Sequence, residues 1–172
     1  MLETNTRIQD EYLLAYDQNS DALFRFVYFR THNREDARDI VQETFLKTWR
    51  YLKDGQEIEQ LRPFLYRTAK NLLIDMTKQK KTRNTHSLDE YMDAGGEIAA
   101  ESEKSEFDPF DIKRAMKLLN DLEPDEYREA VQLRFIDELS IAEIANIMGV
   151  SENVVSVRIN RGINKLKKLF PI

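Results

Sequence analysis

The sequence predicts an all-α protein: two small helical domains joined by an acidic linker, the second a helix-turn-helix domain of four helices. Three observations carry this. Only five Gly and four Pro interrupt 172 residues, too few for the many turns of a β-rich fold. Apolar residues recur at three- and four-residue steps in both halves of the chain, the spacing of helix faces. Between the halves, "SLDEYMDAGGEIAAESEKSEFDPFD" contains Gly95-Gly96 and Pro109, few apolar residues and no sustained period, which suits a linker. The expected boundaries are residues 1–83, a linker over 84–110, and 111–172. A solvated acidic loop without a role has the same composition as this linker.

The first half reads as about four helices. Leu23, Phe26 and Val27 make a short apolar face. Asn33 is placed to cap the next helix, with acidic residues in its first turn. Ala37, Val41, Phe45 and Leu52 keep one side of that helix apolar. Leu65, Ala69, Leu72, Leu73 and Met76 then follow i, i+4, i+7, i+8, i+11, with Pro63 near the helix start.

In the second half, Ile112, Met116 and Leu119 begin a helix and Pro124 opens the next, where Tyr127, Val131 and Phe135 share a face. Ile141, Ile144, Ala145 and Met148 lie at i, i+3, i+4, i+7 behind Ser140, a predicted cap. Gly149 supplies a turn, Ser151 the next cap, and a long helix follows. Helix, glycine turn, helix is the helix-turn-helix pattern, which a plain helical hairpin shares. In the last helix Val155, Ile159, Ile163, Leu166 and Phe170 form the core side. Asn153, Val157, Asn160, Arg161 and Asn164 take the other. Asn and Arg make paired hydrogen bonds to adenine and guanine edges in a major groove. Val157 suits a thymine methyl, and chance exposure of a surface valine explains it equally well. The basic tail from Lys165 to Lys168 suits phosphates.

Charge is segregated beneath a formal net charge of −5. Arg62, Arg67, Lys70, Lys78, Lys80, Lys81 and Arg83 face a lone Asp75. From Asp89 to Asp111 nine acids face only Lys104. Arg158, Arg161, Lys165, Lys167 and Lys168 make the end basic again. Two basic patches flanking an acidic strip imply partners of different charge. The absence of Cys excludes disulfides, thiol nucleophiles and thiolate metal sites, and a reducing cytoplasm is the simplest home. No apolar run of about 18 residues is present, so no membrane span is expected. The opening "MLETNTRIQDEY" lacks the basic-then-apolar order of a signal peptide.

Three segments in order, "DARDIVQETFLKTW", "RPFLYRTAKNLLIDMTKQKK" and "LSIAEIANIMGVSENVVSVRINRGINKLKK", resemble the extracytoplasmic-function (ECF) group of bacterial sigma factors. The first two resemble the family's region 2 and the last its region 4. The resemblance spans nearly the whole chain. It implies a transcription initiation factor, not an enzyme, that binds core RNA polymerase and directs it to promoters. Asp39, Gln42, Glu43 and Leu46, beside Arg50, would dock on the β′ clamp helices, Leu46 being an apolar centre in a charged stripe. Phe64, Arg67, Lys70, Asn71 and Lys78 would recognise and melt the −10 element. Cations there hold the backbone, and Tyr66, Trp49 and Tyr51 add flat surfaces for unstacked bases, although Trp49 is also expected in the core. Asn71 matches the position tied to the non-template strand, and "KDGQEIEQLR" the variable specificity loop. The last helix would read the −35 element as duplex through Ser151, Asn153, Ser156, Val157, Arg158, Asn160, Arg161, Lys165 and Lys168.

The sequence departs from the family at that helix. Ser156 stands where a basic residue is common, Val157 where a small hydroxyl residue is common, and Gly162 where Ala is common. Gly costs up to about 1 kcal/mol against Ala in a helix interior, so a tight contact or a bend is expected at Gly162. The resemblance also gives the linker a place in the polymerase cleft, as an acidic stand-in for RNA. Extended, residues 84–110 reach about 80–90 Å at roughly 3.3 Å each, against about 70 Å between major-groove faces two turns apart. Further implied partners are the β flap and an anti-sigma factor. No cofactor, small-molecule substrate or membrane insertion is expected. A stand-alone helix-turn-helix regulator is the alternative. It predicts a dimerisation or ligand domain in the first half, where the aromatic-basic helix suits single strands better. A nucleic-acid enzyme has little support: the histidines are His32 and His86, and no acidic set has metal-ligand order.

Overall fold

A computed structural model describes residues 2–84 and 109–169, with side chains described from Gln9 to Thr82, at Arg114, and from Met116 to Leu169. The described residues form seven helices and no strand. Of the linker expected over 84–110, residues 85–108, with most of the acidic strip, lie outside the described residues, as does Phe170, whereas Asn84, Pro109 and Phe110 belong to the flanking helices. The chain divides into two compact units, Met1–Glu97 and Ile98–Ile172.

The first unit holds α1 (Leu2–Thr31), α2 (Arg34–Lys53) and α3 (Leu61–Asn84). Its described residues form three helices where the sequence suggested about four, because Leu2–Thr31 contains no Gly or Pro and runs through its polar middle unbroken. Asn19, in that middle, is buried and donates to Ala15 O at 2.8 Å, so its amide is satisfied without breaking the helix. The chain turns at His32, whose φ of 52° is left-handed and whose N–H donates to Tyr28 O. Asn33 then caps α2 as expected, its side chain accepting from the N–H groups of Glu35 and Asp36 at 2.9 and 3.0 Å.

The three helices pack on one another around Leu23, Phe26, Val27, Ala37, Val41, Phe45, Leu65, Tyr66, Ala69 and Leu73, all buried. Leu52, Leu72 and Met76 are half-buried at its margin. Thr44 and Thr48 face the same core and return their hydroxyls to the carbonyls of Ile40 and Thr44, which removes the penalty of burying them. Two aromatic assignments change. Tyr66 is fully buried edge-on to Phe26, with ring centroids 4.9 Å apart, so it belongs to the core and not to a base-binding face. Trp49 is only half-buried, tilted against Tyr12 at 5.0 Å.

The second unit holds α4 (Pro109–Asn120), α5 (Asp125–Phe135), α6 (Ile141–Met148) and α7 (Glu152–Leu169). Pro124 is the N-cap residue of α5. Ser140 and Glu143 form a reciprocal capping box at α6. Gly149, with φ of 67°, ends α6 in the left-handed region, and Ser151 Oγ accepts from Val154 N–H to start α7. Leu119, Leu122, Ala130, Leu133, Leu139, Ile144 and Val155 fill the core.

The face read for α5 needs correction. Val131 is buried, but Phe135 is 59% exposed, while Ala130, Gln132 and Leu133 are buried. Eight residues of helix rotate a side chain by about 80°, which carries Phe135 off the face that Tyr127 begins. Gly162 meets the expectation of a tight contact. A Cβ there would stand 2.7 Å from Val131 Cγ2 and 3.3 Å from Tyr127 O, so α7 lies against α5 at a distance only glycine allows.

Candidate functional site

Three surfaces emerge from these helices. On α2 the core takes the Ala37, Ile40, Val41, Thr44 and Thr48 side, which turns Asp39, Gln42 and Leu46 outward. Glu43 is half-buried beside them, and Leu46 is 40% exposed. The surface has an aromatic margin that sequence reasoning missed. Tyr16 leans on Phe45 at 4.7 Å, and Tyr12 lies between Phe45 and Trp49 and donates its hydroxyl to Phe45 O at 3.0 Å. Burial, and secondarily Tyr16, pushes the Tyr12 phenol above its ordinary value. The available signal was the i, i+4 spacing of Tyr12 and Tyr16, although nothing local identifies their partner helix.

On α3 the buried residues Leu65, Ala69 and Leu73 define the inner side. At 100° per residue, Phe64, Arg67, Asn71 and Lys78 fall within about 60° of one another on the outer side, with Lys70 on the flank. Arg67, Asn71 and Lys78 are exposed, while Phe64 and Lys70 are half-buried. Tyr51, 39% exposed at the end of α2, lies 5.1 Å from the Phe64 ring, and the Arg67 guanidinium sits 6.0 Å over that ring. An aromatic pair with an adjacent guanidinium offers stacking surface and charge together. Lys80 is turned away from this group into an ion pair with Asp36 of α2.

On α7 the buried Val155 and Gly162, with half-buried Ile159, Ile163 and Leu166, set the inner face. Asn153, Val157, Asn160, Arg161 and Lys168 are exposed, Val157 at 39%. Asn164 donates its amide to Asn160 Oδ1 at 3.0 Å, linking two outer-face amides. Ser156 is exposed but returns its hydroxyl to Glu152 O. Ser151 is engaged as a cap, and Arg158 is half-buried on the flank. Lys165 departs from the tail it was read with: its Nζ donates to Glu123 O at 2.6 Å, before α5, and lies 5.6 Å over the Tyr127 ring.

Two helical units, one with an aromatic-cationic helix face and one with an exposed helix-turn-helix, define a protein that handles nucleic acid. The comparisons with known proteins say which kind. Residues 15–83 match the model of Sigma-70 region 2, and residues 112–166 that of Sigma-70, region 4. The chain is 30% identical to the ECF RNA polymerase sigma factor SigW of Bacillus subtilis, over 93% of this chain and 89% of that protein. It is 32% identical to the ECF RNA polymerase sigma factor BldN of Streptomyces coelicolor, over 99% of this chain and 66% of that protein. The fold resembles the sigma factor RpoE of Bartonella quintana, solved with the anti-sigma factor NepR, with a TM-score of 0.69 at 22% identity over 95% of this chain and 96% of that one. The chain belongs to the ECF sigma factors, transcription initiation factors that direct bacterial RNA polymerase to promoters.

Proposed function

We propose that the two units divide promoter recognition between them while the polymerase performs the chemistry. The α2 surface of Asp39, Gln42, Glu43 and Leu46 docks on the β′ clamp. The α3 face captures the −10 element as a single strand, with Tyr51 and Phe64 as stacking surface, Arg67, Lys70 and Lys78 on the backbone, and Asn71 on an unstacked base. The α7 face reads the −35 element as duplex, and the second unit meets the β flap. An anti-sigma factor is a further partner, supported by the relative solved with NepR. The working compartment is the cytoplasm, and no described helix is long and apolar enough to cross a membrane.

The observation that carries this reading is the shared face of Phe64, Arg67, Asn71 and Lys78 beside Tyr51. A duplex-only reader has no use for an aromatic pair open to solvent at Tyr51 and half-buried at Phe64, whereas a melted strand does. A stand-alone regulator would place a dimerisation or ligand domain in the first half, where residues 15–83 instead match region 2. The test is in vitro transcription with core polymerase. Asn71→Ala is expected to lower open-complex formation by about five- to 150-fold, as lost base recognition of about 1–3 kcal/mol does. Binding to core polymerase stays at the wild-type level. Equal loss of both activities assigns Asn71 to the fold, and loss of neither removes it from the site.

A further inference from the structure

Tyr127 lies outside the recognition helix, in the first turn of α5, yet two cations of α7 turn to it. Its hydroxyl accepts a hydrogen bond from Arg161 Nη1 at 3.2 Å. Its ring lies beneath Lys165 Nζ at 5.6 Å, and the same ammonium is tied to Glu123 O. Arg161 and Lys165 are one helical turn apart, so a single half-buried side chain between α5 and α7 engages both. The approach depends on Gly162: a Cβ there would meet Val131 and Tyr127 O, so a side chain at that position would push α7 off α5. The surroundings fit a holding role better than a phosphate site. Glu123, Asp125 and Glu126 are exposed acids at this end of α5, and Asp125 is paired with Arg128. A DNA phosphate is repelled there, while an arginine held by the phenol is kept from swinging onto those carboxylates.

An exposed arginine has many rotamers open to it, and part of that freedom is lost when its fork meets a base edge. One N–H fixed on Tyr127 reduces that loss and leaves the rest of the guanidinium for the groove. We propose that Tyr127 is a positioning residue for −35 recognition: it holds Arg161 in one orientation toward the groove, with Lys165 closing over the ring to hold the ring itself. This rests on the reading of α7 as the −35 reader. It also names an α5 residue that no groove-facing pattern selects.

The test is promoter binding by the holoenzyme across single base-pair changes in the −35 element, with salt titration, for wild type, Tyr127→Phe, Arg161→Ala and the double variant. Tyr127→Phe removes the hydroxyl and keeps the ring beneath Lys165. It is expected to weaken preference roughly two- to tenfold, the worth of one hydrogen bond, at the base pair where Arg161→Ala abolishes it. Salt slope, thermal stability and binding to core polymerase stay unchanged, and the double variant matches Arg161→Ala alone. If Arg161→Ala flattens the preference and Tyr127→Phe does not, the positioning role is overturned and the −35 reading stands. Uniform loss at every base pair in Tyr127→Phe reduces Tyr127 to packing and also overturns it. If Arg161→Ala flattens nothing, the assignment of the α7 face fails and the role of Tyr127 falls with it.

Discussion

The units Met1–Glu97 and Ile98–Ile172 are both small helical bundles, but they are filled differently. The first buries Phe26, Phe45 and Tyr66 at its centre. In the second, the buried apolar residues among those described are all aliphatic: Leu119, Leu122, Ala130, Val131, Leu133, Leu139, Ile144, Ala145, Ile147 and Val155. The outer faces differ in the same sense. The α3 face sets an aromatic pair beside a guanidinium, whereas α7 shows amides, the valines Val154 and Val157, and cations. Bulky rings in the first core leave neighbouring aromatics half-buried at its rim, where flat surface is available. The second core, with Gly162 at the α5–α7 contact, brings these two helices close and leaves one face of α7 exposed. The two units thus differ in the same way in the side chains they bury and in those that α3 and α7 display: aromatic in the first, and without rings in the described core and α7 face of the second.

The largest test of this contrast is Tyr66→Ala. Removing a fully buried aromatic is expected to cost about 3–5 kcal/mol. Trp49 is the only tryptophan in the chain and lies in the first unit, so its fluorescence in a denaturant titration reports that unit selectively. The Trp49 transition should move to lower denaturant while helical signal from the second unit persists. A single coincident loss of both breaks the idea that the two cores are separate.

Gly162→Ala is the matching test in the second unit. The clash with a stiff, buried Val131 and with a backbone oxygen costs about 2–3 kcal/mol, offset by about 1 kcal/mol of helix propensity, for a net loss of about 1–2 kcal/mol. Circular dichroism should show the loss while the Trp49 transition stays in place. Equal or greater stability than wild type would mean that α7 yields to the methyl group at no cost, and that the close approach is not specified by the glycine.

The smallest effects come from the helix starts. Asn33→Ala and Ser140→Ala are each expected to cost about 1 kcal/mol, since each removes a side-chain acceptor from helix N–H groups. Asn33→Ala should shift the Trp49 transition and Ser140→Ala should not. The pair therefore measures whether local capping, unlike core chemistry, contributes alike in both units.

These caps were legible in the sequence because a cap joins residues two or three apart: Asn33 to Glu35 and Asp36, Ser140 to Glu143. The helix-turn-helix was legible for the same reason, as Gly149 requires nothing beyond its own left-handed turn. The core faces of α2 and α3 followed from period alone, since each helix buries one broad side. Periodicity failed at Phe135, where an 11-residue helix is packed on several neighbours at once, and at Tyr66, whose aromatic character fits a base platform and a core equally well until its depth is known.

The sequence by itself therefore determined the all-α class, the helix starts, the two basic helices and the ordered motifs of an ECF sigma factor, because these rest on spacing within a few turns or on motif order along the chain. Only the tertiary structure decided that Tyr51 pairs with Phe64, that Tyr12 and Tyr16 border the α2 surface, that Lys165 turns back to Glu123, and that Arg161 donates to the Tyr127 hydroxyl. These contacts join residues far apart in the chain. Which side chains meet there is set by how closely two helices approach, a distance fixed by packed volume and, at Gly162, by a missing side chain.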